Sequence, residues 1–259
     1  NTITGTVANN TRVTDFFGNL RPGGSQVFSG FRPANVVSKG RNSMALYTDM
    51  ELDLTEKLLI NGAIRFENYS DFGSTTNFKL ASRYKLTNNI NLRGALSNGF
   101  RAPSLHQIYF STTATLFSNG VPSEIGTFSN DSQMAKLLGI PQLKQEVSQS
   151  GSIGFTAKIP NANLTLTADA YIVNVKDRVI LTNSFSRPGG TPAPGSPAEV
   201  LNGLFDGAGA TSATFFANAI DTQSKGIDIV ISQKANLGSG ATLKNDLSVT
   251  SSGTKRAAA

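Results

Sequence analysis

Cysteine and tryptophan are absent from the 259 residues, and His106 is the only histidine. The chain therefore has no disulfide framework, thiolate metal site or cysteine nucleophile, and a multi-histidine metal site is excluded. No apolar run approaches the roughly 20 residues of a membrane-spanning helix. A phosphate-binding loop and a Gly-x-Ser-x-Gly elbow are also missing. We therefore expect no enzyme activity, no catalytic residues, no metal site and no cofactor.

Charge is sparse as well, since charged residues make up 15% of the chain against about 25% in ordinary soluble domains. Lysine and arginine number 23 and acidic residues 17, which leaves a net charge of +6. This excess is spread over the whole length, so we expect no nucleic-acid partner. Ser, Thr, Asn and Gly fill the remainder, and these residues favour strands and turns over helix interiors.

Strict alternation of apolar and polar residues recurs along the chain. The clearest case is residues 58–66, where one face carries Leu58, Ile60, Ile64 and Phe66. Similar patterns occupy residues 44–52, 78–86, 90–98, 153–159, 164–172, 227–234 and 243–249. We predict about eight strands with one apolar and one polar face, most of them roughly 9–11 residues long, which is the length that crosses a bilayer.

The connections between these strands alternate in length. Tight links at residues 53–57, 87–89, 160–163 and 236–241 fall on one side of a meander, and long segments at 100–147 and 177–214 fall on the other. Outer-membrane barrels have this asymmetry, with short periplasmic turns and long outside loops. The predicted fold is all-β, an antiparallel up-and-down meander of transmembrane strands. Within the first long loop, residues 132–140 predict a short helix ended by Gly139.

Residues 92–110 read LRGALSNGFRAPSLHQIYF and resemble a segment of the TonB-dependent outer-membrane receptors. Further segments resemble the same family in order and spacing, namely ALYTDMEL at 45–52, IRFENYSDFG at 64–73, FKLASRYKL at 78–86 and LTADAYIVNVKDRVIL at 166–181. The resemblance covers roughly residues 28–249. Its most specific motif is the GFRAP run at residues 99–103.

The resemblance implies part of a bacterial outer-membrane barrel of about 22 strands with a plugged lumen. Such receptors take up a scarce ligand of the siderophore, cobalamin or oligosaccharide class, driven through the TonB complex. The implied partners are the outer-membrane bilayer, a plug domain, TonB and a small-molecule ligand. Neither a plug nor a segment that TonB grips is visible in the chain, so we expect an internal piece of the barrel.

We divide the chain into three parts. Residues 1–40 are expected to form an outside loop with a strand remnant, and residues 41–252 a partial barrel with outside loops at 100–147 and 177–214. Residues 253–259 do not continue the alternation and form a tail that is a candidate artefact.

The candidate site residues lie on the polar faces and at one loop base. One set is expected to face the lumen as a hydrated, mutually paired wall, to contact a plug, or to do both; it comprises Asp49, Glu51, Arg65, Glu67, Arg83, Arg93 and Asp169. The loop-base motif is Gly99, Phe100, Arg101, Ala102 and Pro103. Arg101 could hold an anionic ligand or the plug, but we favour loop carbonyls as its partners. We interpret His106 as a solvated or packing residue, and the proline-rich segment 187–197 as a flexible linker rather than a ligand contact.

Two alternatives remain open at this point. One is a self-contained small outer-membrane barrel that acts as an adhesin or pore, and the other is a soluble all-β binding module such as a sandwich. In a sandwich, the apolar residues of the alternating pattern are buried in a dry centre between two sheets. The residues that decide between lipid and a dry centre are Leu58, Ile60, Ile64, Phe78, Leu80 and Leu92.

Overall fold

The computed structural model describes residues 2–4, 13–14, 20–21, 35–118 and 121–257. Its main element is an eight-stranded antiparallel meander in which each strand lies beside its neighbours in sequence. The strands are β1 (Ser43–Thr55), β2 (Leu58–Tyr69), β3 (Gly73–Lys85), β4 (Ile90–Arg101), β5 (Glu146–Ile159), β6 (Leu164–Leu181), β7 (Phe216–Gly238) and β8 (Ala241–Arg256). The predicted fold class is confirmed.

All short turns fall at one end of this sheet. They comprise residues 56–57, 86–89, 160–163 and 239–240. Thr55 shows how such a turn is held, because its hydroxyl oxygen accepts the backbone N–H groups of Lys57 and Leu58 at 3.2 and 3.0 Å. Left-handed backbone at Asn163 (φ 45°) and Ser239 (φ 51°) closes two others. The opposite end carries residues 70–72, 102–145 and 182–215, as the alternation of lengths predicts.

The apolar face of the sheet is exposed. Ile153 is 70% exposed, Leu96 61% and Phe78 56%. Of the six residues that decide between lipid and a dry centre, Ile64, Phe78, Leu80 and Leu92 are exposed and Leu58 and Ile60 half-buried. In the described part of the chain, no second layer packs against this face, which argues against the sandwich.

The width of the apolar stretch fits a bilayer. On β1 it runs from Met44 to Leu52, and on β5 it runs from Gln149 to Ile159. About ten residues rise roughly 33 Å along a strand, which becomes about 25 Å across the membrane at a tilt near 40°. The order of the sheet ends at β1 and β8 without pairing them, so these eight strands do not form the closed small barrel of the other alternative. Open edges in lipid need further strands.

The long connections fold into a unit of their own, which comprises residues 102–144 and 179–219 together with the first 42 residues. It contains helices α1 (Leu105–Tyr109), α2 (Gln133–Leu137) and α3 (Pro197–Ala208). A four-stranded sheet is built from Phe185–Ser186, Ser212–Thr214, Val121–Thr127 and Thr112–Ser118, in that order. We call residues 102–144 and 179–219 the loop unit. Helix α2 confirms the short helix predicted at 132–140.

The core of the loop unit is dry and apolar. It is formed by Met134, Ala135, Leu201, Phe205, Ala210, Ala213 and Phe215. Phe205 on α3 and Phe215 are fully buried. None of the described helices has the length and apolar composition to span a membrane.

Three further findings concern the predicted segments. The tail prediction is wrong for residues 253–256, because β8 continues to Arg256 and pairs residue by residue with β7 up to Thr222. The strands are also longer than predicted, from 12 residues in β2 to 23 in β7. In the N-terminal segment, Thr2–Thr4 pairs with Ser38–Gly40 and Val13–Thr14 with Leu20–Arg21. Residues 1, 5–12, 15–19 and 22–34 of the predicted outside loop lie outside the described residues.

Candidate functional site

The register of the sheet places all seven predicted lumen-facing residues on one face. Tyr47 pairs with Arg65, Ala45 with Glu67, Asp49 with Ala63 and Glu51 with Asn61. Arg83 pairs with Arg93, and Gly154 lies between Arg93 and Asp169. Because paired residues in a sheet point to the same side, we call this surface the polar wall.

One ion pair on the polar wall joins β4 to β6 across β5. Arg93 Nε donates to Asp169 Oδ1 at 2.8 Å and Arg93 Nη2 pairs with Asp169 Oδ2. The guanidinium reaches over Gly154, where an added Cβ would lie 2.0 Å from Asp169 Oδ1 and 2.7 Å from the Ala168 carbonyl oxygen. Thr156 accepts a third bond from Arg93 Nη1 at 3.2 Å. Gly154 is thus the residue that permits this fork-like ion pair.

A second cluster lies at the loop-bearing end of β2. Arg65, Glu67 and Tyr69 share one side of the strand because they are two residues apart. Arg65 Nε binds Glu67 Oε1, and the Tyr69 hydroxyl donates to Glu67 Oε2 at 2.6 Å. Glu67 is only 6% exposed. Both oxygens of this buried carboxylate are thus satisfied.

The remaining charges on the polar wall are not paired with one another. Acidic residues follow one another on β1 (Asp49, Glu51, Asp53), and basic residues on β3 (Lys79, Arg83, Lys85), all of them exposed. The two columns are one strand apart, since Ala63 separates Asp49 from Lys79, which is about 10 Å at the usual strand spacing. Asp49 accepts the Asn61 side-chain amide at 2.6 Å. In the described part of the chain, Arg83 has neither an ion pair nor a hydrogen bond.

The loop-base motif is held by specific contacts on both sides of Ala102. Arg101 Nη2 lies 3.4 Å from Oε1 of Glu146, so its partner is a carboxylate rather than the carbonyls that we favoured. Pro103 is fully buried, and its carbonyl oxygen accepts Arg41 Nη2 at 2.8 Å. Gly99 approaches Ser148, with 3.0 Å from an added Cβ to Ser148 Oγ.

An aromatic cluster accompanies this motif at the loop-bearing end of the sheet. Phe100 lies edge-on to Tyr69 with 5.7 Å between ring centroids, and Tyr69 stacks on Phe72 at 4.5 Å. These rings pack against one another, and Tyr69 also binds Glu67 on the polar wall.

Two asparagine side chains, one buried and one half-buried, hold the loop unit in one arrangement. Asn130 is 1% exposed, and its Nδ2 donates to the carbonyls of Pro141 and Phe216 at 3.1 and 2.7 Å. The Asn218 side chain donates to and accepts from the Lys144 backbone, both at 2.9 Å. These bonds tie segments that are far apart in sequence.

Sequence reasoning missed helices α1 and α3, although the signals are present. Ser104 and Gln107 form a capping box, and Ser196 precedes Pro197 with Glu199 in the first turn of α3. Both patterns are helix starts. The proline-rich segment 187–197 therefore ends in a capped helix, where the Gly195 N–H also donates to Glu199 Oε2 at 2.6 Å. His106 lies in the last turn of α1.

Comparisons with known proteins agree with this architecture. The family described as TonB dependent receptor-like, beta-barrel matches residues 1–257. The probable TonB-dependent siderophore receptor PirA of Acinetobacter baumannii is 26% identical over 136 residues, covering 52% of this chain and 17% of that protein. The chain thus spans about a sixth of that relative's length.

Solved structures share the fold at low sequence identity. The siderophore receptor PirA from Pseudomonas aeruginosa matches with a TM-score of 0.61 and 13% identity, over 86% of this chain and 37% of that one. The ferric enterobactin receptor PfeA from the same species matches at 0.57 and 14%, over 82% and 27%. The RagAB peptide transporter matches at 0.55 and 12%, over 85% and 23%.

An exposed apolar face, a charged opposite face and loops gathered at one end define a wall of a transmembrane β-barrel. The chain belongs to the TonB-dependent receptor β-barrel family. Its place is the bacterial outer membrane, and the family is one of receptors and transporters rather than enzymes.

Proposed function

We propose that this chain is part of the barrel of a TonB-driven receptor for an iron–siderophore complex. The observation that carries the proposal is the eight-stranded meander with its exposed apolar face, together with a family match over residues 1–257. The siderophore class is favoured over cobalamin and oligosaccharides because PirA is named as a siderophore receptor and PfeA as a ferric enterobactin receptor. The short turns then face the periplasm, and the long loops face outside.

The loop unit is the proposed ligand-recognition element. It has its own buried core around Phe205 and Phe215, so its surface groups are held in fixed positions and can be pre-organised for a ligand. A structureless loop would lose more conformational entropy when it orders around the ligand.

The polar wall is the proposed contact surface for a plug domain. Its acidic column on β1 and basic column on β3 are exposed and not paired with each other. A plug surface with the opposite arrangement of charges satisfies both columns. The pairs Arg93–Asp169 and Arg65–Glu67 are already satisfied within the wall, so they belong to the wall itself rather than to the plug contact.

The test is uptake of radioactive iron as a siderophore complex by cells that express the full-length protein as their sole siderophore receptor. We expect uptake that disappears when TonB is deleted and that is restored when TonB is supplied again. Uptake at the same rate without TonB contradicts the proposal. A panel that also includes cobalamin and a maltodextrin tests the ligand class, and transport of either in place of the siderophore overturns the siderophore assignment.

A further inference from the structure

Three lysines lie on the apolar side of the sheet near its loop-bearing end. They are Lys176 on β6, Lys225 on β7 and Lys255 on β8, and all are exposed. Alternation places them on the face that carries Ile172, Ile227 and Val249. A charged side chain on the lipid side of a barrel is costly near the bilayer centre and tolerated only toward the interface, so its presence there calls for a physical reason.

The three lysines form one patch across adjacent strands. Lys255 pairs with Gln223, and Lys225 pairs with Gly253. The two lysines are therefore diagonal neighbours, with Cβ atoms roughly 7–8 Å apart. The Gln223 side-chain amide donates to Asn174 Oδ1 at 2.9 Å, and Lys176 follows Asn174 by two residues on the same face. We call Lys176, Lys225 and Lys255 the lysine patch.

Little on the protein neutralises this patch. Among the residues that the structure describes, none of the three ammonium groups has an ion pair or a hydrogen bond. One carboxylate, Asp221, lies on the same face of β7, and its Oδ1 accepts the Asp177 backbone N–H at 2.9 Å. Three positive charges and one negative charge leave a net positive surface.

The patch borders a depression and an apolar stripe. An open depression of about 710 Å³ is lined by Gln223, Lys225, Ile227, Ser251, Gly253 and Lys255, among others. Gly253 leaves its floor bare, because an added Cβ would meet no atom within 4 Å. Toward the short turns the same face continues as Ile227, Ile229 and Val249, all exposed. Cationic groups thus stand directly above a surface for acyl chains.

We propose that the lysine patch binds the phosphorylated headgroup of a lipid in the outer leaflet. Lysine stems lie along apolar surface while their ammonium groups reach headgroup depth, where they meet phosphate oxygens. The acyl chains of the same lipid cover the stripe formed by Ile227, Ile229 and Val249. A free anion satisfies only the lysines, whereas a phosphorylated lipid satisfies both halves of the surface. The inference rests on the proposed orientation, with the long loops outside.

The test is native mass spectrometry of the full-length protein in neutral detergent, titrated with bis-phosphorylated lipid A and with the same lipid after removal of its phosphates. Lys225→Gln/Lys255→Gln removes two positive charges. Because each lysine near an anionic surface contributes to binding, we expect the loss of both to weaken lipid binding by about thirtyfold. The control Lys158→Gln/Lys234→Gln makes the same charge change on the polar wall near the short turns, the face that looks away from lipid. Lys225→Arg/Lys255→Arg keeps the charge and should keep the affinity.

We expect the Gln pair at 225 and 255 to weaken binding of the phosphorylated lipid and the control pair to leave it unchanged. Gly253→Leu fills the depression without changing charge and is expected to weaken binding as well. Equal binding of the two lipid A forms, equal loss in both Gln pairs, or full displacement of lipid by millimolar inorganic phosphate each overturns the proposal. Siderophore uptake is expected to persist in the Lys225→Gln/Lys255→Gln variant, which separates this outcome from that of the proposed transport.

Discussion

Gly154 offers a sharp test of the polar wall, because its missing side chain makes room for the Arg93–Asp169 ion pair. In Gly154→Ala the new methyl group would lie 2.0 Å from Asp169 Oδ1 and 2.7 Å from the Ala168 carbonyl oxygen. The carboxylate can rotate away, but the carbonyl belongs to the backbone of β6 and moves only with the strand. The substitution therefore breaks the ion pair and displaces a strand.

The magnitude follows from these two effects. The ion pair is 44% and 30% exposed at its two side chains, so its loss costs at most about 1 kcal/mol. Forcing a methyl group against backbone costs about 1–3 kcal/mol. We expect Gly154→Ala to lower the free energy of unfolding by about 1–4 kcal/mol, measured by urea titration of the full-length protein in liposomes.

The matched control is Gly62→Ala on β2, where an added Cβ meets nothing within 4 Å. Its effect should stay within about 0.5 kcal/mol. In the double variant Gly154→Ala/Asp169→Ala the carboxylate clash disappears but the carbonyl clash remains, so the two single effects should not add. Equal tolerance of Gly154→Ala and Gly62→Ala would show that Gly154 has no role in making room for the ion pair.

Two further predictions concern the buried groups of each unit. Phe205→Ala leaves a cavity in the core of the loop unit and should destabilise that unit by about 3–5 kcal/mol. The measurement is limited proteolysis, in which we expect faster cleavage within residues 179–219 while the barrel stays protected. Cleavage no faster than in Val200→Ala, a substitution at an exposed site, would contradict the core assignment. Glu67→Ala removes the acceptor of both Arg65 and Tyr69 and should lower the free energy of unfolding by about 1–3 kcal/mol. Tyr69→Phe removes one neutral donor and should lower it by about 1 kcal/mol. A urea titration in which Tyr69→Phe is the more destabilising variant would contradict the geometry.

The two-residue alternation of apolar and polar side chains predicted the strands and their faces. It did so because each strand meets the bilayer on one side and water on the other, so the alternation appears within the strand's own sequence. The same reason explains the error at residues 253–256. Beyond the bilayer a strand no longer needs an apolar face, so Ser251, Ser252 and Thr254 are polar on both sides although β8 continues to Arg256.

Contacts between distant strands could not be predicted in this way. Arg93 and Asp169 are 76 positions apart, and their meeting depends on the register of three strands. In the loop unit, Val121–Thr127 pairs in parallel with Ser212–Thr214 across a long insertion, which no local pattern specifies. The capping residues at Ser104 and Ser196 are by themselves signals of a helix start. Helices α1 and α3 could therefore have been predicted from the sequence.

The central claim is that alternate residues of each strand face lipid and an aqueous interior. These 259 residues contain no cysteine. In the full-length protein, with any cysteine outside them replaced by serine, spin labels are placed one at a time at Leu96, Ser97, Ser152 and Ile153. Their collision rates with oxygen and with a water-soluble nickel complex are then compared in liposomes. We expect high oxygen access at Leu96 and Ile153 and the lower oxygen-to-nickel ratio at Ser97 and Ser152. Equal ratios at neighbouring positions, or low access to both reagents at Leu96 and Ile153, would contradict it.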